Sequence, residues 1–364
     1  MQLADLEYTY IAGELDAKLS GARVGKAYQI TESLFKIQFS GKDGKHTLVV
    51  QLPDYLTLTS RDIPSPQQPS SFIMALRKRI ENAVVEGVSQ PGAERIIVIS
   101  LDCKGQKCRL ILEMFSNGNI IFCVGDDIDL IYRRESWRDR ELRKGVRYVP
   151  PPSKVPPLEA TAGMLSLNGK ATLISGIMSV VALAPKYLEE AMVRAGIPPK
   201  SKDEPSASEK ERLMMAVREV CTEQKYVAYL EGGAVKDYAV CTLSRYSGLE
   251  QKLFGSVCGL VDYAYEPQLA AARQDGESLK KKEAAEQAMR SRLTELEAEA
   301  VQCKQAGDWI YSRYSEVERA LGIAAKMHRQ NKSDEEISQE VAKVLPGARF
   351  KDGRIIVPFE NDVK

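Results

Sequence analysis

The chain has 364 residues, 44% of them hydrophobic, a length that suits two or three domains with substantial cores. Its 51 basic and 50 acidic side chains nearly cancel, so a uniformly basic surface is excluded, and any affinity for nucleic acid must come from local patches. The sequence has only two histidines and no Cys-x-x-Cys pair, so we expect no metal and no cofactor.

Residues 1–150 predict a β-sheet domain that opens with a helix. Apolar side chains keep helical spacing from Asp5 to Leu19, where Ser20 and Gly21 stop the run. Strands are predicted near residues 23–30, 35–39, 47–52, 55–59, 83–88, 95–101, 108–115 and 119–124. Two four-stranded units predict two packed sheets, arranged as a sandwich or flattened barrel.

A short basic helix from Ser71 to Ile80 connects the two halves of this domain. Its apolar residues share one face, and Ser70 or Ser71 can cap its first turn. Arg77 and Lys78 project to the other side. We expect these two cations to add supporting charge to a nucleic-acid site; the alternative is an ordinary solvated face.

Residues 131–147 are the clearest candidate for phosphate contact. They hold seven basic and three acidic side chains, with Trp137 and Tyr148 available for stacking. The candidate contact residues are Arg133, Arg134, Trp137, Arg138, Arg140 and Arg143. The alternative is a linker whose arginines pair with neighbouring acids and pack back on the sheet.

A proline-rich linker at residues 151–167 leads to a helical domain at 168–225 that is similar to a helix-hairpin-helix. The usual glycine-rich turn is replaced here by Leu183, Ala184 and Pro185. Because Pro185 lacks an amide donor, helix packing is the expected role of this turn, with phosphate binding as the alternative.

A mixed connecting segment covers residues 226–265, and residues 266–345 predict a coiled-coil arm with tip helices. Between Met289 and Cys303, apolar residues recur at alternating steps of four and three, the seam of a coiled coil. Residues 346–364 have the pattern of a truncated end, because the arm has no returning helix. We therefore expect the N-terminal fragment of a longer protein.

The N-terminus has neither a basic leader nor a signal-peptide core, and no run approaches the ~18 apolar residues that span a bilayer. We expect a cytoplasmic protein without membrane contact. Its seven cysteines are expected to be free thiols, although Cys103 and Cys108 flank a turn and could face each other across a hairpin.

Three segments in order resemble the NFACT N-terminal domain, whose family includes fibronectin-binding protein A-like proteins, the nuclear export mediator factor and subunit 2 of the ribosome quality control complex. The segments are Ser70-Ser71-Phe72-x-Met74-x-Leu76-Arg77-Lys78, Gln90-Pro91-Gly92-Ala93-Glu94-Arg95-Ile96-Ile97 and Glu113-Met114-Phe115-Ser116-Asn117-Gly118-Asn119-Ile120-Ile121. The resemblance covers essentially the whole chain, because the helical domain, the coiled coil and Ile310-Tyr311-Ser312-x-Tyr314 follow in family order.

The resemblance implies an α+β fold whose N-terminal sheet domain is similar to the N-terminal fold of formamidopyrimidine-DNA glycosylases. It does not carry over their chemistry, which needs a proline amine at position 2, where this chain has Gln2. The implied partners are tRNA, the large ribosomal subunit and its rRNA. The implied role is to recruit aminoacyl-tRNA for template-free C-terminal tailing of stalled nascent chains.

The family associates an acid in the first helix and an Asp-Arg pair with tRNA handling. Asp5 matches the acid, and Glu94 with Arg95 matches the pair, with Glu in place of Asp. A salt bridge between the first helix and the sheet is the alternative.

No residue set resembles an acyl-transfer catalyst, so we expect a binding module and no enzyme. The competing hypothesis is a scaffold that recruits a protein partner through the coiled coil and has no affinity for nucleic acid.

Overall fold

The structure is a computed structural model that describes residues 2–66, 68–137 and 140–357, apart from the side chains of residues 272–284. The chain is α+β, as predicted, with a large antiparallel sheet. It divides into two compact units, Met1–Lys280 and Lys281–Lys364. Within the described ranges, no helix combines the length and apolar character needed to cross a membrane.

The first unit opens with helix α1 (Asp5–Leu19), as predicted. Helix α2 (Ser71–Ile80) is also confirmed, and the Ser70 hydroxyl caps it by accepting from the Ile73 amide at 3.3 Å. The strands around these helices are β1 (Arg23–Gln29), β2 (Leu34–Gly41), β3 (Gly44–Gln51), β4 (Tyr55–Thr59), β5 (Val84–Ser89), β6 (Ile96–Cys103), β7 (Gln106–Glu113), β8 (Asn119–Val124) and β9 (Asp127–Ile131). A short hairpin of β10 (Glu135–Trp137) and β11 (Arg140–Leu142) follows.

Strands β1 to β9 form one continuous antiparallel sheet in the order β4-β3-β2-β1-β5-β6-β7-β8-β9. The two predicted halves meet edge to edge, where Val24 donates to the Ala83 carbonyl at 2.8 Å and Val85 donates to the Ala22 carbonyl at 2.9 Å. The prediction of two separate sheets is therefore wrong. Joining the halves satisfies backbone groups that two free edges would have left unpaired.

A helical region completes the first unit. It comprises α3 (Leu173–Val180), α4 (Pro185–Arg194), α5 (Ala207–Thr222), the antiparallel strands β12 (Tyr226–Glu231), β13 (Ala234–Ala239) and β14 (Glu250–Phe254), and α6 (Val257–Ala264). Leu188 of α4 and Tyr229 of β12 belong to the same buried hydrophobic cluster as Leu15 of α1 and Ile37 of β2. The helical region and the large sheet therefore share one core.

Helix α7 (Glu266–Ser312) runs from the first unit into the second. The second unit continues with α8 (Tyr314–Arg329), α9 (Asp334–Val344) and a hairpin of β15 (Arg349–Lys351) and β16 (Arg354–Ile356). Its core includes Ala320, Ile337 and Phe350. The predicted seam residues Met289 and Leu293 are exposed on α7, and the coiled coil stays a prediction.

Candidate nucleic-acid interface

Gln90 fastens the first turn of α1 to the loop before β6. Its Nε2 group donates to the carbonyl oxygens of Asp5, at 3.1 Å, and of Glu94, at 2.7 Å. The Thr9 hydroxyl donates to Oε1 of the same side chain at 2.6 Å. Through this clamp the structure brings together Asp5 and the pair of Glu94 and Arg95, which lie 89 positions apart in sequence.

The segment after residue 150 passes over the same loop. The Lys154 amide donates to Oε1 of Glu94 at 3.4 Å. Gly92 has a φ of +64°, and a Cβ atom at this position would lie 2.5 Å from Oγ of Ser153. Both the backbone angle and the close approach therefore require glycine here. The exposed Lys154 adds a second cation to the surroundings of Asp5.

The electrostatic environment of Asp5 is mixed. Burial raises the pKa of Asp5 to about 6, the positive charge of Arg95 opposes this, and the negative charges of Glu94 and Glu7 add to it. The Arg95 guanidinium is half-buried and makes no hydrogen bond or ion pair with the residues that the structure describes. Arg95 is thus an available cation beside two carboxylates.

Tyr8, the neighbour of Glu7 in α1, lies within the electrostatic reach of Arg95. Its hydroxyl is fully buried and has no hydrogen-bond partner in the described part of the chain. Burial raises the pKa of Tyr8 well above its ordinary value, and the charge of Arg95 is the largest opposing influence. Arg95 therefore lies where the first turns of α1 meet the sheet.

The sequence interpretation missed Glu7, whose carboxylate is fully buried. Its Oε2 accepts from the Ala4 amide at 2.9 Å, and its Oε1 accepts from Nζ of Lys186 at 2.5 Å and from the Tyr187 hydroxyl at 2.6 Å. The donors of Lys186 and Tyr187 attach the turn that carries Asp5 to the start of α4. The available signal was a charged residue between two apolar ones, Leu6 and Tyr8, on a helix.

The contact with Glu7 also determines the surroundings of Lys186 at the start of α4. The Lys186 ammonium is only 14% exposed and also donates to the Tyr238 carbonyl at 2.8 Å. It lies 4.5 Å from the centre of the Tyr238 ring. Because this lysine is committed to Glu7, the turn before Pro185 packs against α1, which favours the packing role over phosphate binding.

The two predicted cations of α2 differ in their surroundings. Arg77 donates through Nε to the Ala27 carbonyl at 2.8 Å and lies 4.7 Å from the centre of the Tyr28 ring, so it is held against the sheet. Lys78 is exposed and lines a cavity of about 270 Å³ together with Cys103. Burial raises the pKa of this thiol to about 12, and the cysteine is free.

Arg140, at the centre of the basic stretch, packs into the protein and has a structural role. Its side chain is 8% exposed and forms an ion pair with the buried Glu113, which also accepts from the Tyr148 hydroxyl at 2.8 Å. The guanidinium lies 5.4 Å from the Trp137 ring and 5.2 Å from the Tyr148 ring. Arg140 is therefore already fully engaged, whereas Trp137 remains 41% exposed.

The other predicted residues of this stretch have varied surroundings. Arg133 donates to the Gly118 carbonyl at 3.0 Å and holds the loop between β7 and β8. Arg143 pairs with Glu141 at 2.7 Å on the surface. Arg134 is exposed without a partner among the described residues, and Arg138 lies outside them. Part of the stretch therefore packs back on the sheet, as the alternative interpretation expected.

Residues 8–341 match the sequence profile of a family described as NFACT N-terminal and middle domains. An archaeal Rqc2 homolog, aRqcH, of Methanocaldococcus jannaschii is 28% identical over 354 residues, covering 88% of this chain and 51% of the relative. Ribosome quality control complex subunit 2 of Saccharomyces cerevisiae is 31% identical over 122 residues, covering 33% of this chain and 12% of the yeast protein. The chain thus spans about half of the archaeal relative and a smaller share of the yeast one.

Two solved structures have a similar fold. The fibrinogen binding protein from Staphylococcus aureus aligns with a TM-score of 0.60 at 19% identity, covering 72% of this chain and 98% of that one. The N-terminal part of the fibronectin/fibrinogen-binding protein from Streptococcus suis aligns with a TM-score of 0.54 at 22% identity, covering 73% and 100%. Identities this low establish a shared fold alone.

Proposed function

Because the chain belongs to the family of NFACT N-terminal and middle domains, we propose that it acts in ribosome-associated quality control as a non-enzymatic module that binds tRNA and the large ribosomal subunit. The names of its archaeal and yeast relatives support this role. In the finer form of the proposal, the module works in the cytoplasm and recruits aminoacyl-tRNA for template-free tailing of stalled nascent chains. Tail synthesis would then use the ribosome's own chemistry.

The proposal rests on the available guanidinium of Arg95, whose charge acts on the carboxylate of Asp5 together with the charge of Glu94. An unpaired arginine can hold a phosphate through its fork of N–H donors. A carboxylate beside it can orient the arginine or accept from a nucleotide amine or hydroxyl. The clamp formed by Gln90 holds the backbone of Asp5 and the backbone of Glu94 together before any RNA arrives. The site is therefore preorganised for a polar, anionic ligand.

The test is to titrate the chain and its Arg95→Ala variant with fluorescent tRNA at several salt concentrations. We expect Arg95→Ala to weaken binding and to make the dependence of log K on log[salt] shallower by about 1. The Tm should fall only slightly at neutral pH, because Arg95 makes no hydrogen bond or ion pair within the described structure and its charge offsets only part of the burial of Asp5. The matched control is Arg109→Ala on β7, whose guanidinium already pairs with Asp126 at 2.9 Å.

Unchanged tRNA affinity in a folded Arg95→Ala variant would refute the assignment to Arg95. The scaffold hypothesis has its own support, since Met289 and Leu293 expose an apolar stripe on α7 that a partner helix could cover. An unmodified chain that binds no tRNA even at low salt would favour that scaffold.

A further inference from the structure

The hairpin of β15 and β16 carries three cations on one face. In its register Lys351 pairs with Arg354 and Arg349 pairs with Ile356. Alternate residues of a strand share a face with their cross-strand partners, so these four side chains lie on the same side. All four are exposed, whereas Phe350 between the two cations of β15 is buried in the core of the second unit. We call Arg349, Lys351 and Arg354 the basic hairpin face.

The frame beneath this face is well defined. The turn residues Asp352 and Gly353 have φ angles of +50° and +74°, as in the two-residue turn that suits the twist of a hairpin. The Phe350 amide donates to the Ser338 hydroxyl at 2.8 Å, which fastens β15 to α9. The three cations are therefore presented by an ordered strand pair.

The pairing of cations across the two strands destabilises the hairpin itself. Lys351 and Arg354 are direct cross-strand partners, where like charges repel. No acidic side chain of the described residues forms an ion pair with any of the three cations, although Asp334 lies at the turn and accepts from the Asp352 amide at 3.4 Å. An acid in place of either partner would relieve the repulsion without touching the core.

We propose that the basic hairpin face binds the sugar-phosphate backbone of RNA, as a contact in the second unit that is separate from Arg95. Two guanidinium groups and one ammonium offer paired and single donors to neighbouring phosphates. Ile356, which is 54% exposed, places an apolar surface beside them for a ribose or base. The choice of RNA over an acidic protein rests on the proposed function.

The decisive variant is Lys351→Glu, because it moves stability and binding in opposite directions. The new carboxylate would face Arg354 across the hairpin, so we expect the Tm to rise. It would also remove one phosphate contact, so affinity for a fluorescent RNA stem-loop should fall, with the salt dependence shallower by about 1. A purely structural role for Lys351 would not produce both changes.

The triple variant of Arg349, Lys351 and Arg354 to Glu should lower RNA affinity about tenfold or more. Its control reverses three other exposed cations of the second unit, Lys304, Arg319 and Lys326, and changes the net charge equally. An equal loss in the control overturns the proposal, because general charge would then explain the binding. The unmodified chain and the triple variant are also titrated with poly-glutamate. If the triple variant loses affinity for poly-glutamate but keeps its affinity for RNA, the proposal is overturned in favour of an acidic protein partner.

The same titration distinguishes a failure of this inference from a failure of the proposed function. If Arg95→Ala weakens RNA binding and the hairpin variants do not, this inference fails and the proposed function stands. If the unmodified chain shows no salt-dependent RNA binding, both fail.

Discussion

Replacing Asp5 by Asn is expected to stabilise the fold and impair the site. Burial raises the pKa of Asp5 from 3.8 to about 6 against the opposing charge of Arg95. The folded state therefore binds this proton more tightly than the unfolded chain does. As the pH rises from about 4 to about 6, folding becomes less favourable, because the unfolded chain releases the proton first.

The size of the effect follows from that difference in pKa. An increase of about two in the pKa of Asp5 on folding lowers the free energy of unfolding by about 3 kcal/mol once the pH is above 6. Asn avoids this penalty but removes an acid from the first turn of α1, which costs about 0.3–1 kcal/mol. We therefore expect Asp5→Asn to raise the free energy of unfolding by about 2 kcal/mol at pH 8, or a few degrees in Tm, with little gain near pH 3.5.

The assay is a series of thermal melts between pH 3.5 and pH 8, combined with tRNA titration at neutral pH. The variant should bind tRNA more weakly despite its higher Tm, because the carboxylate beside Arg95 is gone. Asp43→Asn, in the exposed turn between β2 and β3, is the matched control for deleting an acid. A lower Tm for Asp5→Asn at pH 8, or an equal gain at pH 3.5 and pH 8, would show that burial of the Asp5 charge does not limit stability.

Two further predictions concern the packing that supports the site. Lys186→Met should cost about 3–5 kcal/mol because it leaves the buried Glu7 carboxylate without its cation, and adding Glu7→Gln should recover most of the loss. Denaturant unfolding of all four members of this cycle would show the coupling, and additive losses would contradict it. Gly176→Ala should strongly destabilise the chain, since its Cβ would lie 2.2 Å from the Leu167 carbonyl oxygen. Gly13→Ala, with nothing within 4 Å of its Cβ, should instead add about 0.5–1 kcal/mol, and equal Tm values for the two would contradict this contrast.

Local patterns predicted most elements of the first unit, because a buried face imposes a period that the sequence must follow. Helix α2 and its cap at Ser70 are examples. The contact between β1 and β5 was not predictable in the same way. Periodicity shows which face of a strand is buried, but it does not show which strand lies at its edge. The eight predicted strands are all present, but β9 was not predicted, and one continuous sheet replaces the two that were expected.

Charge patterns predicted the basic stretch less well. A run of arginines is visible in the sequence, but its acidic partners are not. Arg140 pairs with Glu113, 27 positions earlier in the chain, and that pairing depends on the course of the sheet. Arg134 is also an arginine of this stretch, yet it is exposed. Composition thus located a cationic region but could not separate structural arginines from available ones.

The clamp explains why Glu can stand at position 94, where the resemblance to the family leads us to expect Asp. Gln90 holds the carbonyl oxygen of Glu94 at 2.7 Å and does not contact its carboxylate. The backbone that positions Arg95 is therefore independent of the length of the acidic side chain. That carboxylate instead accepts from the Lys154 amide at 3.4 Å, within reach of the segment that crosses the loop. An acid of either length is compatible with a fixed Arg95, and the identity of residue 94 affects where the second negative charge lies and whether it reaches the Lys154 amide.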